Sequence, residues 1–172
     1  MSVAEFKPIG DFRHVQRVLK TIPQRIRAVA VPAFDAMGAF YAGLIVEGLD
    51  SQAPAGQAFK PLAQSTIDAR ARKRGTASTK ALIDTADMRN SVTYKGMKMP
   101  MGVFIGLLRT AMHRETGESV ANLGEIHEHG TLNGHIPPRP FIFPIARSRS
   151  MRRRARGVFR RQVRLQRHRL TR

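Results

Sequence analysis

From Ile26 onward, apolar residues recur at steps of three and four: Val29, Ala30, Ala33, Phe34, Met37, Phe40, Tyr41, Leu44 and Ile45. That spacing places them on one face of a helix, and a face this long must be covered by the rest of the chain. The pattern predicts one long amphipathic helix from about Gln24 to Leu49, kinked or interrupted at Pro32, which buries Ile26, Val29, Met37, Tyr41 and Leu44. A shorter stripe made by Phe12, Val15, Val18 and Leu19 predicts a separate helical piece over Asp11 to Lys20, ended near Pro23.

The remaining pattern is of short elements. Ser51 to Gln57, with Pro54 and Gly56, reads as a loop, Ala63 to Lys73 as a second helix, and Arg74 to Thr79 as a polar connector. Ala81 to Asn90 reads as a helical turn with Thr85 as a cap. Ser91 to Met97 and Gly102 to Leu107 are strand candidates joined through Met99, Pro100 and Met101. Arg109 to Ser119 is polar and contains glycine, so a mobile loop is expected there. Val120 to His129 reads as a helix stopped by Gly130, and Phe141 to Ile145 as a third strand. From Met151 onward, Met151, Ala155, Val158, Phe159 and Leu165 share one side of a helix, with most arginines opposite. The expected class is α+β: a long N-terminal helix packed on a small antiparallel sheet, with a basic C-terminal helix.

Charge divides the chain. Of the formal +18, the twelve arginines from Arg147 to Arg172 carry +12, and no Asp or Glu follows Glu128. The body is mildly basic and the tail intensely so, which calls for an anionic partner or water. The expected organisation is a domain over residues 1–146 and an Arg-rich helical arm over 147–172. Arg152, Arg153, Arg154, Arg156, Arg160, Arg161 and Arg164 are the candidate polyanion contacts. Phe159 is the arm's only aromatic, so base stacking is not indicated and any nucleic-acid binding should be indifferent to sequence. Val158 and Phe159 are candidates to dock the arm on a neighbour. The absence of cysteine excludes disulfides and thiolate metal sites. No run of about 18 apolar residues and no signal-peptide pattern is visible, so a cytosol-like compartment and no membrane partner are expected.

Chemistry has little to hold on to. Glu125, His127, Glu128, His129 and His135 form the one cluster where metal or acid–base work could be argued, but a helical zinc hydrolase needs its histidines one turn apart. His127 and His129 are two apart and fall on nearly opposite helix faces. Asp84 and Asp87 suit helix capping better than a cation, and Arg70, Arg72, Lys73 and Arg74 suit a solvated helix end. No nucleophile elbow, phosphate loop or paired carboxylates stand out. The expectation is no enzyme, no catalytic residue, no metal and no cofactor.

One segment is unusually stiff. Ile136, Pro137, Pro138, Arg139, Pro140 and Phe141 must run extended, because each proline fixes its own φ and keeps the preceding residue out of the α region. Such a strap suits docking, and Arg139, Pro140 and Phe141 are candidate partner contacts, with Arg139 equally suited to a structural salt bridge and Phe141 inserting into its own domain or a neighbour. The order Phe59, Lys60, Pro61, Leu62, Thr66 and Arg70, then Leu82, Thr85, Arg89 and Ser91, then Ile105 and Gly106, then Glu128 and Gly130, then Pro137, Arg139, Pro140 and Phe141 resembles the bacteriophage tail-completion group. Its members are also called virion morphogenesis proteins or minor tail protein Z. The resemblance spans roughly residues 40 to 145. It departs at Phe59, where tryptophan is common, at Ala63, where a serine often caps the next helix, and at Ala86, where glycine is usual and a left-handed backbone would be strained.

The resemblance implies a small α+β virion protein without catalytic residues, which helps complete the tail at its head-proximal end and join it to the capsid connector. It implies partners among the neck and tail proteins (terminator, tail tube and connector), a homo-oligomeric ring, and contact with genomic DNA or the tape-measure protein. The site would be the virion neck, reached through the host cytoplasm during assembly. The alternative is a stand-alone nucleic-acid-binding protein without sequence specificity.

Overall fold

The computed structural model describes residues 12–74, 79–97 and 100–170. In chain order these form α1 (Phe12–Ser51), a 3₁₀ turn (Pro54–Gly56), α2 (Gln64–Arg74), α3 (Asp87–Asn90), β1 (Val92–Met97), β2 (Gly102–Leu107), α4 (Val120–His129), α5 (Phe143–Arg147) and α6 (Arg149–Leu170). The class is α+β, with a long N-terminal helix, a two-stranded antiparallel sheet and a C-terminal helix. Part of the expected connector, residues 75–78, and Met99 of the hairpin turn lie outside the described residues.

The first correction concerns α1. The two expected helical pieces are one helix of 40 residues that continues through both Pro23 and Pro32. A proline inside a helix removes one hydrogen bond and costs about 3 kcal/mol. Next to Pro32, Ala33 is fully buried, and farther along the helix Leu44, Ile45 and Leu49 lie in the core. Val29, Met37 and Tyr41 are half-buried as expected, but Ile26 is 53% exposed. The helical stripe is real; its upper part is uncovered. Val15–Ser51 is also long and apolar enough, by length and composition, to cross a membrane, although the sequence shows no unbroken apolar run. Of its most apolar stretch 28% is buried, and Leu44, Ile45 and Leu49 lie in the core.

Two partners cover that second half. The β1–β2 hairpin, in the register Val92↔Leu107 and Tyr94↔Ile105, lies against α1 at Gly38. A Cβ on Gly38 would sit 2.6 Å from Val103 and 2.8 Å from Tyr94, so only glycine allows the sheet this close. α6 packs antiparallel on another side, with the Phe34 and Phe159 rings edge to face at 5.1 Å and the Arg154 guanidinium over Phe40 at 5.4 Å. The core is completed by Ala81, Leu82, Met88, Leu107, Val120, Phe141 and Ile145.

Three further expectations change. Phe141–Ile145 is not a strand: Phe143–Arg147 forms α5, with Pro144 in its first turn, where a missing N–H does no harm. The 109–119 segment is held by a bridge between Met112 and Ser119 and by the His113 amide donating to Glu118 O at 2.7 Å. The boundary at 146/147 falls inside α5, and the basic helix is no detachable arm, since Ala155 is buried and Met151 packs against the core.

Phe141 is fully buried at the centre of this core. Phe141→Ala should lower unfolding free energy by about 3–5 kcal/mol in chemical denaturation. An unchanged melting curve would show that the strap contributes nothing to the fold.

Candidate functional site

The strap's hydrogen bonding follows from its prolines. Between Pro137 and Pro140 only Arg139 has a backbone N–H, and it donates to His127 O at the end of α4 at 2.7 Å. The next three amides all reach one side chain. Phe141 N and Ile142 N donate to Glu128 Oε2 at 2.9 and 3.1 Å, and Phe143 N donates to Oε1 at 2.7 Å. Glu128 is 8% exposed, so this carboxylate is a buried anion cradled by the free amides that open α5. α4 is closed by Gly130, whose φ of 78° no β-branched residue would accept and whose amide donates to Ile126 O.

Arg139 is 6% exposed. Its Nε donates to Lys60 O at 2.9 Å and its Nη2 to Pro61 O at 3.0 Å, so the guanidinium pins the strap to the chain ahead of α2. Burial and the neighbouring Arg70 push its pKa down from the ordinary arginine value. The expected partner contacts Arg139 and Phe141 are therefore spent inside the chain, and Pro140 between them is half-buried. Val158 and Phe159 are likewise half-buried on α6, with Phe159 against Phe34 of α1.

Beside the strap lies a cleft of about 690 Å³. Pro61, Leu62, Thr66, Arg70, Leu82, Thr85, Pro137 and Arg139 converge on it from three stretches of chain, joined by His113, His127 and His135. Arg70 is turned inward: Nη1 donates to Lys80 O at 2.7 Å and Nε lies 3.5 Å from Asp84. Lys73 pairs with Glu115 at 2.6 Å, so the α2 end is tied down rather than merely solvated. Asp87 does not cap its own helix; its Oδ2 accepts the Arg114 amide at 3.0 Å, and that bond, with help from Thr85, holds its carboxyl below the usual carboxylate range. The Thr116 amide donates to His113 Nδ1, which leaves the ring proton on Nε2, 3.3 Å from Thr85 Oγ1.

Arg70, His113 and Arg139 spend their polar groups in joining these segments, while His127 Nδ1 makes no hydrogen bond among the described residues. Among the described residues no group of three or more His, Asp or Glu side chains could hold a metal ion. The expected cluster is dispersed: Glu128 faces the α5 amides, His129 stacks edge to face on Phe143 at 5.5 Å, and His127 faces the cleft. The outward-facing chemistry lies on α6. Arg152, Arg153, Arg154, Arg156, Arg160, Arg161 and Arg164 are all exposed, and among the described residues none of the seven pairs with a carboxylate.

The sequence reading missed the Glu128 cradle because it took 141–145 for a strand, which has no free amides to cap. Pro144, one or two positions into the helix, was the available signal. The bidentate Arg89–Asp50 pair, at 2.6 and 2.8 Å, was also missed, since nothing local connects residues 39 apart.

Two outcomes test this geometry. His127 Nδ1 is buried without a hydrogen-bond partner, and burial, aided by Arg139, pushes the ring's pKa below its ordinary value. A depressed histidine stabilises the fold fully above its unfolded pKa, about 6.5, and loses that contribution as pH falls below it. Thermal melts should therefore decline more steeply from pH 7 to 5 for the native chain than for His127→Leu; equal slopes would contradict the assignment. Ala86 has φ 60°, as the departure from glycine anticipates. Ala86→Gly should stabilise the fold by about 0.5–1 kcal/mol, and a lower melting temperature would count against backbone strain there. In comparison with known proteins, the chain matches no family model, no curated protein and no solved structure.

Proposed function

We propose that this chain is a structural virion subunit of a phage neck or head-proximal tail end, where it completes the tail and helps join it to the capsid connector. The resemblance supplies the place. The observation that carries the structural role is the division of its polar groups: Glu128, Arg139, Asp87 and Arg89 tie the chain to itself, while the α6 arginines face outward. A surface of that kind suits contact with other macromolecules. On this reading its neighbours are terminator, tail-tube and connector proteins and further copies in a ring. The arginine face meets genomic DNA, the tape-measure protein or an acidic ring, and the protein acts without catalysis or cofactor.

The same arginine face favours the second reading, a free nucleic-acid-binding protein. Mass spectrometry of purified particles, with labelled-antibody microscopy, separates the two: the protein should be present and should lie at the head-proximal tail end. Absence from particles, together with tight binding of the isolated monomer to plain duplex DNA, would replace the first reading by the second. Because α6 is part of the core, the arm should be probed by substitution and not by truncation. If DNA is the partner, Arg153→Ser, Arg160→Ser and Arg164→Ser together should reduce the slope of log affinity against log salt by about three. An unchanged slope would point to a protein partner.

A further inference from the structure

The first half of α1 is the part of the fold that the other described residues leave bare. From Arg13 to Ala28 every side chain described is exposed except that of Thr21. Yet Val15, Val18, Leu19, Ile22 and Ile26, between 38 and 58% exposed, are apolar and follow helical spacing. Val15, Leu19, Ile22 and Ile26 continue at the same spacing into Ala33, Phe40 and Leu44, the stretch along which α6 packs. The antiparallel register set by Phe40 with Arg154 and Phe34 with Phe159 carries the end of α6 to about the level of Pro23. Gln166 is the last described residue of α6 that is even half-buried. Val15, Val18, Leu19 and Ile22 thus continue a helix-packing seam beyond the reach of the helix that fills it, and Ile26 lies beside that helix's last turn.

Two further observations say what belongs there. Residues 13–28 have almost no tertiary support and contain Pro23, whereas an isolated helix of that length is marginal in water even without a proline. A second helix laid in the seam would supply the missing burial. The flanks are cationic: Arg13, Arg17, Lys20, Arg25 and Arg27 lie on this half, and no Asp or Glu occurs from Phe12 through Phe34. Another copy of α1 or α6 in the seam would bring like charge against like. An anionic bilayer would satisfy the charge, but a narrow seam shared with a packed helix, in a chain with no tryptophan, is shaped for a helix.

We infer that the first half of α1 is a docking surface for an amphipathic helix of a different protein, apolar along its centre and flanked by Asp and Glu. This does not rest on the virion reading, since any acidic helical partner would meet the same surface.

The test uses the full-length protein and synthetic helices of about three heptads. One peptide has Leu at the core positions with Glu flanks, a second keeps the Glu flanks but has Ser at the core, and a third has the Leu core with Lys flanks. By fluorescence anisotropy at about 150 mM salt, the Leu-core, Glu-flanked peptide should bind at least about tenfold more tightly than either of the others. Leu19→Ser with Ile22→Ser should weaken it at least about tenfold while leaving the thermal melt of the core unchanged. Equal binding of the two Glu-flanked peptides, or of native and double-variant proteins, would overturn the inference. So would a failure to bind the peptide accompanied by binding to phosphatidylglycerol vesicles, or by self-association, that the double substitution abolishes.

Discussion

One buried carboxylate organises the C-terminal half of the core. Glu128 accepts three consecutive amides, and those amides belong to the residues that place Phe141 at the core's centre and begin α5. Without an acceptor, three N–H groups would be taken out of water unpaired, each at a penalty of about 1–3 kcal/mol. With it, a proline-stiffened strap can enter the interior, because Pro137, Pro138 and Pro140 bring no donors of their own and Arg139 has His127 O. Arg139 then extends the linkage to residues 60 and 61, far away in sequence. Glu128 near the end of α4 and Arg139 ten residues beyond that end thus link three segments that also meet in the apolar core.

The contrast between the two halves of α1 follows from what reaches them. The hairpin approaches at Gly38 and α6 at Phe34 and Phe40, and both covers lie on the second half. The helix nevertheless continues toward Phe12 with its stripe intact. Within a single chain such a stripe is surplus; in an assembly it is an unfilled contact. The α6 arginines have the same character on the polar side.

Elements set by local periodicity were legible in the sequence. The helix over Val120–His129, the strand over Gly102–Leu107 and the second helix agree with the residues that suggested them. Ala86 was legible too, because a left-handed position advertises itself where glycine is expected. What failed depended on distant partners. Pro32 did not interrupt the helix, and Ile26 looked buried because periodicity tells which residues share a face but not whether anything covers it. Phe141–Ile145 looked like a strand because its apolar run is too short for periodicity to separate strand from helix. At the cleft, the residue types were visible, but their convergence from separate stretches of the chain was not.

The pairing of α1 with α6 also sets an order of events during synthesis. Phe34 and Phe159, which meet edge to face, are separated by roughly 125 residues. At about 5–20 residues per second, the apolar face of α1 waits some 6–25 s before the helix that covers it has been made. The core cannot close progressively from the N-terminus, because its first helix is sealed by the last element of the described fold. For that interval the nascent chain lacks the cover that α6 supplies at Phe34 and Phe40, and any stall before α6 emerges leaves that side of α1 open to aggregation.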